Sequence, residues 1–514
     1  MKSLTKAILV IALTPGCWDY CEENPAAPFC SQEGGGGSGG APVGGNPNTG
    51  GAGGEQGGAG GTGGTVDPGC VPTEGEALGA DCGVYVQLGA TGAGTQAEPI
   101  GTINAAIGAL GDKTRIYVCG EDVFPESVNL PAGVSLYGGF SCDGWTYSAT
   151  NPKPTVFGAA DTIALKIEGE GVSTVQSMRI QADDAATAGR SSIAMLVAQA
   201  QVDIVECEIV AGIGAEGAPG ALVAKEPTPG AANGLGGMMG CQGSGTNLNG
   251  GSAGQLTCDA SPRDGGDGGK GTTAGDGLAG IPGNPVGASN VGGKPETTMA
   301  PTACGNGGEG DPGNAGDPGL GASEDDLGQL TSTGFTGAAG QAGLSAGTHG
   351  QGGGGGGGAN ACGGAGPSGG GGGAGGCGGA AGAAGSGGGG SFALVSIDAI
   401  VTLTDALLTA AAGGSGGAGD AGQEGMDGGT GGNPGNGGGA CSGGPGGKGG
   451  RGGAGGGGRG GPSVGIAYVG DAPDESGSVE ITIAEAPAAG GDGGGGNVTG
   501  NGADGVHELR QEWP

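Results

Sequence analysis

The residues that could support acid–base chemistry lie in one short stretch. Asp183 and Asp184 are adjacent in the sequence IQADDAATAGR, and Arg190 closes that stretch. A polysaccharide lyase needs a base and carboxylates that hold calcium, whereas a glycoside hydrolase needs two carboxylates at a fixed separation. Adjacent acidic residues are more typical of a polar turn. The sequence therefore predicts no catalytic residue, and a turn at this position.

Metal and phosphate motifs are also weak. The two histidines, His349 and His507, lie in a glycine-rich tract and near the C-terminus, and no His or Cys pairs have zinc spacing. The stretch GGDGGKGT resembles a phosphate loop, but Gly271 stands where that loop needs Ser or Thr. Scattered carboxylates such as Glu324 would attract Ca²⁺ only loosely. We therefore expect no metal site and no cofactor.

The fourteen cysteines favour disulfides, provided that the chain is exported. The candidates named from sequence proximity are Cys21 with Cys30 and Cys70 with Cys82, and from solenoid spacing Cys119 with Cys142. Six more cysteines lie within glycine-rich tracts and would suit cross-links there: Cys241, Cys258, Cys304, Cys362, Cys377 and Cys441. The sequence leaves the connectivity open.

The N-terminus predicts export. In MKSLTKAILVIALTPGC, Lys2 and Lys6 precede the apolar stretch 7–13, which is too short to span a bilayer. Cys17 follows and resembles the acylated cysteine of bacterial lipoproteins. We expect a signal peptide over 1–16, a lipidated Cys17, and a place at the outer membrane or cell surface or outside the cell. Secretion with Cys17 in a disulfide stays open.

Composition limits any conventional core. Glycine provides 145 of the 514 residues and aromatic residues 3%, so much of the chain has little apolar surface to offset its backbone entropy. The net charge of −34 repels phosphate groups. We therefore expect no nucleic-acid partner.

The composition from Cys70 onward is that of a folded domain. Thr102 is a candidate N-cap, with Ile103, Ile107 and Leu110 at helical spacing behind it. Short β-type runs follow at frequent intervals: RIYVC (115–119), VSLYGGF (134–140), TVF (155–157), ALKI (164–167) and VQSMRI (175–180). Such runs without tight hairpin turns predict a solenoid rather than a sandwich.

This region resembles the start of bacterial right-handed parallel β-helix domains of the pectin-lyase-like type. The resemblance covers roughly residues 80–212 and includes a capping segment matched by Gly94, Thr95, Pro99, Thr102 and Ile103. With the PGRS-like glycine runs that follow, the chain resembles myxobacterial-type surface lipoproteins. The resemblance implies an all-β, right-handed parallel β-helix. It also implies polysaccharide lyases and hydrolases as the competing functional class.

An internal repeat supports stacked coils. Residues 193–212 align without gaps on residues 392–411, and residues 464–491 form a looser third copy, in which Val479 and Ile481 match Val401 and Leu403. The expected organisation is a signal peptide 1–16, a glycine-rich tether 17–69, a β-helix with N-terminal cap 70–212, an insertion 213–391, a rung 392–412, an insertion 413–462, a rung 463–488 and a glycine-rich tail 489–514.

Glycine recurs at every third position within the insertions, for example from Gly307 to Gly319 and from Gly444 to Gly456. Collagen would need a longer unbroken run with abundant proline. Two structures remain: a polyglycine-II-like bundle stapled by disulfides, or disordered loops. In either case, the insertions would project from one side of the solenoid.

These patterns predict a non-catalytic surface lipoprotein with a structural or adhesive role. Its partners would be the membrane through the lipid anchor and envelope or extracellular polysaccharide, or other copies of the chain. The alternative is a β-helix protein that binds or cleaves carbohydrate.

Overall fold

The computed structural model describes residues 70–221, 231–243, 245–298 and 303–514, all of which belong to one compact unit, Val66–Pro514. The expected signal peptide and tether, with Cys17, Cys21 and Cys30, lie outside the described residues.

Most strands, numbered in chain order, form three parallel sheets. The first contains, in spatial order, β1 (Val84–Val86), β2 (Arg115–Cys119), β5 (Ser135–Phe140), β8 (Val172–Gln176), β11 (Gln201–Val205), β18 (Ile400–Thr404) and β21 (Asp474–Ser476). The second contains β3 (Val123–Phe124), β6 (Thr155–Gly158), β9 (Arg179–Ala182), β12 (Glu208–Ala211), β19 (Leu407–Ala410) and β22 (Glu480–Thr482). The third contains β4 (Val128–Pro131), β7 (Ile163–Glu168), β10 (Ser192–Ala198), β17 (Ser391–Ile397), β20 (Ser463–Val469) and β23 (His507–Glu512).

The remaining elements are short. Two antiparallel pairs join β13 (Thr257–Cys258) to β14 (Ser261–Pro262) and β15 (Gln329–Thr331) to β16 (Gly334–Thr336). The α-helix α1 covers Ile103–Gly108, and 3-10 turns cover Gly494–Gly496 and Val498–Gly500.

From β2 onward, the strands of the three large sheets occur along the chain in the order first, second, third sheet, so that each circuit adds one strand to each sheet. The described chain is therefore mostly sheet, with parallel strands in stacked sheets, as predicted. Alternate side chains of a strand point inward: on β11, Val202 and Ile204 are buried between partly exposed or exposed neighbours. These inward rows form one continuous apolar core across the circuits.

The helix α1 contributes apolar surface to this core, at the end of the core that the first strands form. Thr102 is its N-cap, as predicted, since its hydroxyl accepts the Ala105 N–H at 3.1 Å. The Glu126 carboxylate accepts two more N–H groups of the first turn, those of Ile103 and Asn104. Ile103 is fully buried. The cap therefore leaves few donors of the first turn unpaired.

The internal repeat stacks in the register that the sequence alignment indicated. Ile193 pairs with Phe392, and Phe392 pairs in turn with Val464. The alignment of the third copy was wrong further on, because Ile481 pairs with Leu408 on the second sheet and not with Leu403. The first-sheet strand of this last circuit is instead the exposed sequence Asp-Glu-Ser of β21. β21 is the last strand of its sheet, and all three of its residues are exposed.

The predicted strand VQSMRI is two strands, β8 and β9, joined at a sharp corner. Ser177 occupies that corner with φ +52°. Its N–H donates to the Val205 carbonyl, and Glu206, with φ +52°, forms the same corner one circuit later. Stacked corners of this kind need a left-handed residue, and neither Ser nor Glu is a typical one. The corner therefore could not be located from the sequence.

The long glycine-rich insertions emerge between the second and third sheets. They connect β12 to β17, β19 to β20, and β22 to β23. The insertions thus leave one corner of the solenoid, which agrees with the prediction of loops on one side.

An aromatic cluster covers the outer face of the third sheet. Phe335 of the β15–β16 hairpin packs on Phe392 at a ring-centroid distance of 5.2 Å, and Trp513 lies within 6.0 Å of both rings. Trp513 is buried, and β23 pairs with β20. Residues 489–514, expected to be a glycine-rich tail, thus contribute a strand and an aromatic lid.

Candidate functional surfaces: a glycine bundle and a groove on the second sheet

The glycine-rich insertions form a bundle of extended segments that are hydrogen-bonded sideways. The segment 352–358 shows the pattern. Its N–H groups donate in three directions, at 2.8–3.0 Å: Gly352, Gly355 and Gly358 to Asn284, Ile281 and Leu278; Gly353 and Gly356 to Gly373 and Gly370; Gly354 and Gly357 to Gly308 and Gly305. Every third residue thus faces the same neighbour, which is the three-per-turn repeat of a polyproline-II-type helix.

The carbonyl groups of this segment accept from three further segments. The donors are Gly266 and Gly269, Gly293 and Glu296, and Cys441 and Gly444. The segment therefore has six hydrogen-bonded neighbours, which surround it completely. Its residues are buried, although it has no apolar side chain of its own. Satisfied backbone groups take the place of apolar packing here.

This segment needs glycine because the neighbouring segments lie too close for a Cβ atom, and not because of its backbone torsion angles. None of its residues has a positive φ. A Cβ built on Gly354 would overlap the carbonyl oxygen of Val291, and one on Gly355 would overlap that of Asp267. A Cβ on Gly356 would overlap the carbonyl oxygen of Cys441. Successive residues thus meet three different neighbours, each through its backbone.

The number of packed sides sets the glycine content of each segment. Residues 352–358 are packed on all sides and are all glycine. The stretch 443–454 has the pattern Gly-Gly-X, and its X residues Lys448 and Arg451 are 51% and 40% exposed. Outer segments such as 310–319 keep glycine only at every third position. The glycine periodicity therefore records how many sides of each segment are covered.

The stretch 443–458 shows how the glycine content changes when further segments pack against it. Beyond residue 454, two further segments cover the open side: Gly457 donates to Gly500, and Gly491 donates to the Gly458 carbonyl. There the sequence changes from Gly-Gly-X to four consecutive glycines, 455–458. Of the two structures that the sequence left open, the chain adopts the ordered one.

Three long-range disulfides cross-link the bundle. They join Cys241 to Cys362, Cys258 to Cys377 and Cys304 to Cys441, over separations of 121, 119 and 137 residues. Two others join Cys70 to Cys82 and Cys119 to Cys142, the pairs named from the sequence. Five disulfides among the described residues indicate folding in an oxidising, exported environment. None of the helices in the described ranges is long and apolar enough to cross a membrane.

A buried arginine hydrogen-bonds two separate loops near the point where the bundle continues into β20. Arg459 is 8% exposed, and its guanidinium donates to the carbonyls of Glu324, Asp326 and Asp504 at 2.8–3.0 Å. Burial lowers the pKa of this guanidinium, and the nearby carboxylates, that of Asp326 first, oppose the shift. The cation thus satisfies three carbonyl groups at once.

We expect Arg459→Met to lower the free energy of unfolding by about 2 kcal/mol, because three carbonyl groups lose the charged donor that the buried guanidinium provides. The control is Arg510→Met: Arg510 pairs with Glu475 at 2.6 Å, but its side chain is 44% exposed, so the expected loss is below about 1 kcal/mol. Urea denaturation of both variants measures the difference. Equal losses would contradict the assignment.

The acidic and histidine candidates from the sequence contact backbone groups or an ion-pair partner. Asp183 and Asp184 lie between β9 and β10, where the Asp184 carboxylate accepts the Ile213 N–H at 2.7 Å. His349 accepts the Gly378 N–H through Nδ1 and places Nε2 3.3 Å from Asp259. His507 Nε2 lies 2.5 Å from the Ala484 carbonyl. In the part of the chain that the structure describes, no three His, Cys, Asp or Glu residues are grouped as metal ligands.

Cys207 is the free cysteine of the described residues, and it is buried. Its thiol donates to backbone carbonyls of Val175 and Val205 at 3.3 Å. Burial raises the pKa of the Cys207 thiol to about 11. The reactive thiolate is therefore scarce at neutral pH.

We expect Cys207 to resist iodoacetamide at pH 8 in the folded protein and to react readily once the chain is unfolded. Peptide mass spectrometry measures the alkylated fraction of this residue alone, with unfolded protein at the same pH as the control. Rapid alkylation of the folded protein would contradict the burial and the raised pKa.

Two grooves of similar size lie on the sheets: one of about 440 Å³ on the third sheet and a slightly larger one of about 470 Å³ on the second sheet. The lining residues of the larger groove are Val123, Thr155, Phe157, Arg179 and Gln181. Arg179 Nη1 lies 2.9 Å from the Glu208 carboxylate, and its Nε donates to Gln181 at 3.3 Å. No local pattern in the sequence indicates this groove, because its residues come from separate circuits. No family model, curated protein or solved structure matches this chain.

Proposed function

We propose that this chain is a non-catalytic surface protein with a structural or adhesive role, in which a right-handed parallel β-helix of the pectin-lyase-like type carries the glycine bundle as a rigid projection. The observation that supports this role most strongly is the fully hydrogen-bonded central segment 352–358. A segment paired on all sides and cross-linked by disulfides resists bending and unfolding. Such a body suits display or mechanical support better than a flexible linker would.

The bundle is long enough to set a spacing. At about 3.1 Å per residue, the segment 443–461 extends roughly 60 Å. Because it continues directly into β20, the bundle and the sheets share a covalent and hydrogen-bonded spine. The surface at the far end would therefore keep a fixed distance from the solenoid.

Contacts with partners must come from the outer segments and turns. The backbone groups of the central segments are satisfied within the bundle, so they offer nothing to a polymer. Outer side chains such as Leu235 and Ile281 are more than half exposed. The proposed adhesion therefore uses the side chains of an ordered surface and not free polyglycine backbone.

Lipid attachment at Cys17 and a place at the outer membrane or cell surface complete the proposal. The N-terminal sequence and the disulfides support export, and the strong negative charge favours solubility in an exposed location.

The test uses the purified, oxidised chain with envelope and matrix material from the producing bacterium. We expect the chain to co-sediment with this material and to release no soluble sugar from it. Multiple-turnover release of reducing or unsaturated sugars would contradict the proposal and favour the carbohydrate-cleaving alternative. Mass spectrometry of the N-terminal peptide tests the acylation of Cys17 independently.

A further inference from the structure

The inward side chains of the stacked circuits form columns that run along the core. One residue of each circuit belongs to each column, and the members are paired between neighbouring strands. The columns include Val175, Ile204 and Leu403 on the first sheet and Met195, Leu394 and Ile466 on the third sheet. All six side chains belong to the apolar core and are at most 1% exposed.

The last circuit places charged residues at the next position of both columns. Glu475 pairs with Leu403 on the first sheet, and Arg510 pairs with Ile466 on the third sheet. Because paired residues of parallel strands point to the same face of a sheet, both charged residues occupy core positions. The second sheet continues with an apolar residue, Ile481, which packs against the core. Two of the three sheets thus end their inward columns with a charge.

These two charged residues meet across the end of the core. Arg510 donates through Nε and Nη2 to the two carboxylate oxygens of Glu475, each at 2.6 Å. A bidentate pair of this kind has a fixed, planar geometry. Although the residues of β21 are exposed, the side chain of Glu475 itself is only 26% exposed. The pair therefore lies between the last apolar side chains and the solvent.

The strands of the last circuit also have unpaired backbone edges. In the described ranges, β21, β22 and β23 each have a neighbouring strand on one side only. Such edges can pair with strands of another molecule. At the opposite end, α1 covers the core, and β1 is hydrogen-bonded to the stretch 94–100. The end formed by the last circuit is therefore the place where a second copy could extend the sheets.

Two copies that met at this end would be related by a two-fold axis. The rotation reverses the direction of the strands, so the edges would pair antiparallel and the contact would close at a dimer. An apolar end would favour this contact, since it would join the two cores. The charged end opposes it, because stacking would remove both ion pairs from water at a cost that their pairing need not repay.

Further charges of the last circuit act in the same direction. Four more carboxylates lie on its strands, and their counterparts in a second copy would repel them: Asp474, Glu480, Glu508 and Glu512. Inward-pointing charges and charged edges both protect sheets against edge-to-edge pairing.

We propose that the Arg510–Glu475 pair closes the end of the core and keeps two copies of the chain from joining end to end through their last circuits. The proposal concerns association between copies and is independent of the adhesive role.

The test is sedimentation velocity of the oxidised full chain that carries Glu475→Leu and Arg510→Ile together, the residue types of the preceding circuit. The buffer contains about 1 M NaCl, where the Debye length is about 3 Å, so that the other carboxylates of the last circuit repel little. We expect the average mass to rise toward twice that of the monomer as the protein concentration is raised. Hydrogen exchange locates the contact, because the outer N–H groups of β23 should exchange more slowly in the dimer.

The matched control is Arg179→Leu with Glu208→Leu. These two residues also form an ion pair, at 2.9 Å, but their side chains point outward from the second sheet, away from the end of the core. The control removes the same two charges and should remain monomeric, as should the unaltered chain in the same buffer.

Three results would overturn the proposal: a double end variant that stays monomeric with native thermal unfolding, equal dimerisation of the control variant, or dimerisation of the unaltered chain in the same salt. If the double end variant does not fold, Glu475→Gln with Arg510→Gln replaces it, because two amides remove the charges and keep hydrogen-bonding side chains. The same three results then decide.

Discussion

Gly355→Ala is expected to lower the free energy of unfolding of the bundle by at least about 3 kcal/mol, whereas Gly245→Ala should change it by less than about 1 kcal/mol. At Gly355 the added Cβ would overlap backbone atoms of Asp267 and Gly266, which are themselves hydrogen-bonded and cannot rotate away. Small-to-large substitutions cost the most free energy of folding where, as here, no neighbouring side chain can rearrange. The disruption of collagen by a single glycine replacement has the same cause.

Gly245 is the control because an added Cβ there meets nothing within 4 Å, and its φ is not in the left-handed region. Alanine at such a site restricts the unfolded chain and is neutral or slightly stabilising. Pulse proteolysis with trypsin across a urea series measures both variants through cleavage after Lys270 and Lys448 of the bundle. Equal midpoints for the two variants would show that the segment is not closely packed.

Removing the Cys258–Cys377 disulfide by a double alanine substitution is expected to destabilise the chain by up to about 5 kcal/mol. The bond closes a loop of 119 residues, and the loop-entropy model gives about that value for such a length. Both cysteines are buried, so the substitution also leaves a small gap. The loss should appear mainly as earlier tryptic cleavage within the bundle.

The same substitution at Cys70 and Cys82 is the comparison. These residues are 12 apart, and the model gives about 3 kcal/mol for a loop of that length. The two double variants are compared by the urea concentration at which half of the bundle is unfolded. A larger effect on the bundle from the N-terminal pair would contradict the cross-linking role of Cys258–Cys377. The three bundle loops overlap in sequence, so their contributions are not expected to be additive.

The features that could be predicted from the sequence are those that produce a local pattern in it. Alternation on β11 and β18 indicated strands, and the ungapped repeat predicted that Ile193 and Phe392 would stack. Thr102 marked the start of α1 because a hydroxyl at an N-cap has a local effect. Period-three glycine left a hydrogen-bonded bundle and disordered loops as alternatives, because glycine suits both.

Other features depend on partners that are distant in sequence. Which segments surround 352–358 follows from contacts across the whole insertion, and no local pattern identifies them. Ser177 and Glu206 turn corners because the strands stack there, although neither residue type favours that conformation. Arg459 looks like a surface charge in its glycine-rich context, yet three carbonyls from two separate loops enclose it. The groove around Phe157 likewise exists only once separate circuits are stacked.

The sequence does specify more about the bundle than its low complexity suggests. In GGPGGKGGRGGAGGGG, the residues between glycine pairs are those on the uncovered side, and they give way to glycine where other segments pack. Charged side chains such as Lys448 on the open side also prevent a further strand from docking there, as charged edge residues do in sheets.

Amide hydrogen exchange at Gly352–Gly358 in the oxidised, full-length chain tests the central claim most directly. Each N–H of this segment donates to another segment and is buried, so exchange should be slowed by several orders of magnitude relative to an unstructured peptide. Exchange at the rate of an unstructured glycine peptide would contradict the folded bundle.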